Sequence, residues 1–182
     1  MTKQELTVRP AEINDHPLIV DYFLNADKDF LAGMGVDIAK LPSRKEWLDM
    51  LDLNFALSNE EKKFFFIIWV LDSQPAGHSN INKIVFGEEA YVHLHMWQDQ
   101  IRKRGLGAEL LKFTIPYYFE FFKLKELFCE PSAANPGPNK TLAKLGFDLI
   151  KSYDTIPGWI NSYQTVNRWR LSKEKFEFLF EH

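Results

Sequence analysis

The sequence predicts an α/β domain with about seven strands in a mixed sheet flanked by helices. Three observations predict it. The hydrophobic period switches repeatedly between helix-like and strand-like. Three strand-like segments follow one another in mid-chain, as in an antiparallel meander. On either side of them, strand and helix patterns alternate, which suits a sheet covered by helices.

Residues 6–9 read as a first strand. From Asp15 the pattern turns helical: Pro17 is tolerated in the first turn, and Leu18, Ile19, Tyr22 and Phe23 make an apolar stripe. Residues 27–42 read as a short helix around Phe30 followed by a loop. Ser43 and Glu46 have the spacing of a capping box and open a helix carrying Trp47, Met50 and Leu51. The unbroken apolar run 64–71 is a buried strand, closed by a turn at 72–75. Residues 76–85 and 90–97 are two more strands. A helix starts near Gly105, with Pro116 expected to kink it. Residues 127–131 form a short strand, 139–145 a short helix, and Gly146 is its C-terminal stop. Two last strands span 147–153 and 162–171, and Ser172 caps a terminal helix reaching 182.

The 182 residues suit one domain, 1–182. Lys and Arg number 22 against 25 Asp and Glu, a net charge of −3 that disfavours a nucleic-acid partner. Cys129 is the only cysteine, so no internal disulfide forms and a reducing, cytoplasmic location is expected. The longest apolar run, 64–71, is far below the roughly 20 residues that span a bilayer, so no membrane partner is expected. No Cys/His cluster has zinc-site spacing, and no metal is expected.

The stretch most informative about chemistry is Arg102-Lys103-Arg104-Gly105-Leu106-Gly107-Ala108, directly after a strand and at the start of a helix. The first helical turn leaves backbone N–H groups unpaired under a partial positive charge. Gly105 and Gly107 let anion oxygens approach them, and three basic residues attract at longer range. The pattern is neither a P-loop nor a dinucleotide fingerprint. It matches Arg/Gln-x-x-Gly-x-Gly/Ala, the pyrophosphate signature of the GNAT acetyltransferase superfamily. About forty residues later, Asn135-Pro136-Gly137-Pro138-Asn139 leading to Lys144-Leu145-Gly146-Phe147 resembles that superfamily's Asn-x-x-Ser…Lys-Leu-Gly-Phe segment. Val8-Arg9-Pro10-Ala11 resembles its usual first strand, so the likeness covers about residues 6–171, with the C-terminal helix beyond it.

The resemblance implies a GNAT-like sheet splayed at its centre and acetyl-CoA as co-substrate. Pantetheine would lie in the opening, hydrogen-bonded to backbone near Met96, Trp97 and Gln98. The pyrophosphate would sit on N–H groups from Arg104 through Gly105, Leu106 and Gly107 to Ala108, with Arg102 and Lys103 beside it. Asn135 and Asn139 would face the pantetheine arm, and Lys140 either meets a phosphate or is solvated surface. The acceptor would be an amine of a small molecule or a protein N-terminus.

Amine acetylation needs a group to take the amine proton and one to protonate the leaving thiolate. Superfamily members often place a Glu or His base on the strand before the pyrophosphate loop. Alternation puts Tyr91, His93, His95 and Trp97 on one face of that strand, and Val92, Leu94 and Met96 on the other. His93 and His95 are the candidate bases, His93 first; the alternative for each is a hydrogen-bonded core histidine. The two positions where members often carry a thiolate acid hold Leu142 and Pro138, which leaves water, Asn139 or Ser132. Glu130, Trp159 and Tyr163 are candidates to bind or wall the acceptor. The competing reading is a catalytically silent acyl-CoA-binding or regulatory domain.

Overall fold

The computed structural model describes residues 4–98 and 105–180. Four strands, β1 (Leu6–Pro10), β2 (Phe64–Leu71), β3 (Gln74–Val85) and β4 (Glu89–Met96), form an antiparallel meander. Helix α4 (Leu106–Phe122) then crosses over to β5 (Glu126–Cys129), which lies parallel to β4. β6 (Asp148–Thr155) and β7 (Gln164–Ser172) complete a seven-stranded mixed sheet in the order β1-β2-β3-β4-β5-β7-β6.

Three residue pairs join β4 to β5: Glu89 with Glu126, Ala90 with Leu127, and Tyr91 with Phe128. Beyond them the strands part. β4 runs on to Met96, whereas β5 ends at Cys129, just before Glu130 and Pro131. Proline has no N–H to give a ladder, so the pairing cannot continue through it.

Helices cover both faces. On one side α1 (His16–Leu24), α2 (Lys28–Gly33) and α3 (Arg44–Phe55) enclose Val20, Phe23, Leu31, Trp47 and Leu51, against which Phe64 and Phe66 pack. On the other, α4, α5 (Pro136–Lys144) and α6 (Lys173–Phe180) cover Ile67, Trp69, Ile81, Ala90 and Val92. β2 therefore meets apolar neighbours on both faces, which is why its sequence is apolar without alternation. Burial also dictates polar pairing. Trp69 Nε1 donates to Thr114 Oγ1 at 2.9 Å. The Tyr118 hydroxyl donates to Ser79 Oγ at 2.9 Å, which donates to the His93 carbonyl at 2.7 Å.

Local signals set most boundaries. The Ser43–Glu46 capping box is formed, Gly146 has φ +80° just after α5, and Ser172 Oγ accepts from Lys175 N at the start of α6. In the ambiguous stretch 27–42, Asp27 caps α2 through the N–H groups of Asp29 and Phe30. α5 differs from the expected 139–145: it begins three residues earlier, at Pro136. Prolines 136 and 138 occupy the first turn, where N–H groups have no intrahelical partner, so they start this helix rather than exclude it. α4 continues through Pro116 without ending there.

Gly77 holds β3 and β4 in close register. A Cβ there would lie 2.5 Å from the His95 carbonyl oxygen, a backbone atom that cannot swing away. Gly77→Ala is expected to lower folding stability by about 1–3 kcal/mol, as overpacking does. A urea titration against the parent checks this; an unchanged midpoint would mean the strands yield freely.

Candidate functional site

Where β4 and β5 part, a cavity of about 560 Å³ opens on the face carrying α1–α3. α1 contributes Phe23 and α3 contributes Trp47 to its wall. β3 and β4 contribute His78, Asn82, His93 and His95, and Glu130, Pro131 and Ser132 follow β5. The loop after β6 adds Pro157 and Trp159. The strand alternation accounts for this: Ala90 and Val92 face the α4 core, so His93 and His95 turn the other way.

His93 Nε2 is 3.1 Å from Asn82 Oδ1. An amide oxygen only accepts, so the neutral ring donates from Nε2 and keeps its lone pair on Nδ1. Burial, helped by the nearby Lys83 ammonium, pushes the His93 pKa down to about 4. His95 stacks on His78, with ring centroids 4.7 Å apart and 26° between planes.

His78, on β3, is fully buried. Trp97 Nε1 donates to its Nδ1 at 2.8 Å. Indole nitrogen only donates, so the neutral His78 must carry its proton on Nε2. Burial, with His95 and His93 nearby, holds its pKa well below the usual imidazole value. Sequence reasoning missed His78 and Asn82. Their signal was the alternation of His78, Asn80 and Asn82 with Ser79 and Ile81, the counterpart across the ladder of the His93/His95 face.

The segment expected to hold an anion is the start of α4. Gly105 is its N-cap at φ +77°, a left-handed conformation that favours glycine. Leu106, Gly107 and Ala108 follow in the first turn, whose N–H groups lack intrahelical partners. A Cβ at Gly105 or Gly107 would meet no described atom within 4 Å. Arg102, Lys103 and Arg104 lie outside the described residues.

The backbone expected to meet pantetheine, Met96 to Gln98, is divided by the ladder. Trp97 N–H donates to the Ala76 carbonyl of the β3 side at 2.9 Å, so that group faces away from the opening. Antiparallel alternation instead turns the backbone groups of Leu94 and Met96 toward it. Gln98 is exposed beyond the strand end.

Asn135 lines the cavity and caps α5, its Oδ1 accepting from Gly137 N at 3.3 Å. Asn139, expected to face the pantetheine arm, is instead engaged by the protein. Its Nδ2 donates to the Ser132 and Asn135 carbonyls, and its Oδ1 accepts from Asn167 Nδ2 and Trp169 Nε1. The amide is saturated and ties the segment after β5 to β7. Lys140 is exposed on α5.

Of the other candidates, Ser132 lines the cavity and Leu142 is fully buried in the core. Cys129 is buried, and burial raises its thiol pKa far above the ordinary value. The Glu130 side chain is 5% exposed, accepts from the Tyr153 hydroxyl and lies 3.7 Å from Arg168 Nη1. Trp159 lies at the cavity wall, whereas Tyr163, 70% exposed, is not part of the lining. Among the described residues, no three His, Cys, Asp or Glu side chains are grouped to hold a metal ion.

Comparison with known proteins places this geometry in a family. A model of the GNAT acetyltransferase domain matches residues 5–148. No curated protein matches the sequence. Among solved structures, the ribosomal alpha-N-protein acetyltransferase RimL in complex with coenzyme A superposes with a TM-score of 0.74 at 16% identity, over 93% of this chain and 95% of that one. Spermidine N-acetyltransferase from Vibrio cholerae, with CoA and spermine, gives 0.76 at 17% identity, over 94% and 97%. Aminoglycoside acetyltransferase AAC(6')-Ib, with coenzyme A and kanamycin, gives 0.73 at 14% identity, over 96% and 98%. At these identities the likeness is one of fold, while the family match covers most of the chain. The chain belongs to the GNAT acetyltransferase family and is an acyltransferase.

Proposed function

We propose that the protein transfers the acetyl group of acetyl-CoA to an amine, of a small molecule or a protein N-terminus, in a ternary complex. The observation that carries this reading is the parting of β4 and β5 between two different environments. At one end lies the glycine-capped first turn of α4; on the face carrying α1–α3 lies a cavity walled by His93 and His95. A thioester threaded through the opening would present its carbonyl to an amine in the cavity.

The amine lone pair attacks the thioester carbon, and the carbon–sulfur bond breaks as the tetrahedral intermediate collapses. His93 through Nδ1, or His95, takes the proton from the amine nitrogen. The backbone N–H of Leu94, turned away from β3 by the ladder alternation, would stabilise the developing oxyanion. Water, or the Ser132 hydroxyl lining the cavity with its proton replaced from solvent, would protonate the departing thiolate. Leu106 to Ala108, with Gly105, Arg102, Lys103 and Arg104, would hold the pyrophosphate, and Asn135 would face the pantetheine. No metal has a part in these steps.

The experiment is thiol release from acetyl-CoA, with and without amines, beside melting curves with and without CoA. Amine-dependent release is expected. CoA at 100 times its Kd should stabilise the fold by about 2.7 kcal/mol. Absence of any CoA shift would remove the reading; a CoA shift without release across a broad amine panel would support the silent-domain alternative.

A further inference from the structure

The wall of the cavity says what kind of amine it suits. Phe23 lies 5.2 Å from Trp47, and Trp47 meets Trp159 edge-on at 5.8 Å. Phe23 also lies 5.1 Å from His95, which stacks on His78, and Phe66 lies 5.6 Å from His78. These rings form a nearly continuous aromatic lining, open at Trp159, which is 54% exposed. Both His78 and His93 are held neutral, so neither charges the wall near neutral pH.

Among the described residues, only three that line the cavity carry formal charge: Lys63, Lys83 and Glu130. Lys63 is exposed, and Lys83 is fixed by donating to the Pro157 carbonyl at 2.8 Å. Glu130, the one carboxylate, is already engaged by Tyr153 and lies beside Arg168. A second or third ammonium entering this cavity would meet two lysines and no unengaged carboxylate. An ammonium desolvated without a partner is strongly unfavourable. An apolar body, by contrast, gains from each ring it covers.

We propose that the acceptor is an amine with a single cationic centre on an apolar, ring-sized body, and that polycationic amines are poor acceptors. This rests on the acetyl-transfer reading and narrows it. It also separates the chain from the solved neighbours whose names record polyamine and aminoglycoside acceptors.

The test compares kcat/KM at saturating acetyl-CoA for 2-phenylethylamine, spermidine, kanamycin and an uncharged-side-chain peptide with Phe at its free N-terminus. At least one of the two monocationic, ring-bearing amines should exceed both polycations by about tenfold or more. Which one leads tells whether the amine comes from a small molecule or a protein N-terminus. Trp159→Ala, at an exposed position that should not disturb folding, is expected to raise KM for the preferred amine about tenfold. It should change KM for acetyl-CoA much less. Lys83→Glu should shift preference toward spermidine. Equal or better turnover of spermidine or kanamycin by the parent, or an unchanged amine KM in Trp159→Ala, overturns the proposal and leaves acetyl transfer standing. No turnover of any of the four overturns this proposal, and absence of a melting shift with CoA overturns acetyl transfer with it.

Discussion

Replacing Gly107 by Glu is expected to abolish CoA binding at micromolar concentrations while the fold becomes no less stable. Position 107 lies in the first turn of α4, and a Cβ there meets no described atom within 4 Å. An acidic residue in the first turn complements the helix dipole, and leaving glycine favours a helix by up to about 1 kcal/mol. The same carboxylate would stand in the proposed pyrophosphate site. A like charge about 4 Å away costs roughly 4 kcal/mol at an effective dielectric of 20, which is about a thousandfold in affinity. Stability and affinity should therefore move in opposite directions, which no general folding defect imitates. Gly107→Ala is the control and should fold with a much smaller loss of affinity. Calorimetric titration of CoA into each variant reads the outcome, and full affinity in Gly107→Glu would remove the pyrophosphate assignment.

His93→Ala is expected to lower kcat/KM by about 10²–10⁴, the range for loss of a general base. The pH dependence carries a sharper signature. The folded ring protonates only near pH 4, against roughly 6.5 in the unfolded chain. Neutral His93 is therefore present throughout roughly pH 5.5–8, and its own rate limb lies near 4. Any rise above neutrality should follow deprotonation of the amine substrate, moving with substrate pKa. The same depression acts on stability. As pH falls below about 6.5 the unfolded chain binds protons that the folded rings of His93 and His78 refuse, so stability declines toward pH 4. pH–rate profiles of folded His93→Ala and His95→Ala, set beside their melting temperatures, decide the assignment. An inflection roughly between pH 6 and 7 that disappears in His95→Ala moves the base to His95. Two unchanged profiles with unchanged rates would leave neither histidine as the base.

Much of the architecture was legible because its signals are local. The run Phe64 to Leu71, the Ser43–Glu46 box and Gly146 each act through neighbours in sequence, and the structure repeats them. The alternation that separated His93 and His95 from Val92 is likewise a property of one strand. What was not legible depends on partners far apart in the chain. Asn139 looked like a cofactor contact because the sequence cannot reveal that Asn167 and Trp169 fill its acceptor oxygen. Trp97 N–H could not be known to point at β3 until the register was fixed. His78 joined the site only because β3 lies beside β4, a pairing that sets it opposite His95. The start of α5 differs from the expected 139 because Pro136 and Pro138 sit in its first turn, which needs none of the N–H groups they lack.

The parting of β4 and β5 also bears on how this chain avoids its own kind. An unpaired strand edge is a template for another chain, and proteins commonly blunt such edges at the outside of a sheet. Here the stretch of β4 beyond its pairing with β5 lies in the interior of the sheet order, with α4 and the segment tied down by Asn139 beside it. A foreign strand would have to enter that gap lengthwise, past the helices and the Pro157–Asn161 loop that line the adjoining cavity. A slender ligand with amide groups can enter where a strand with side chains on both faces cannot. The β4 edge at Leu94 is thus sheltered from the addition of a foreign strand.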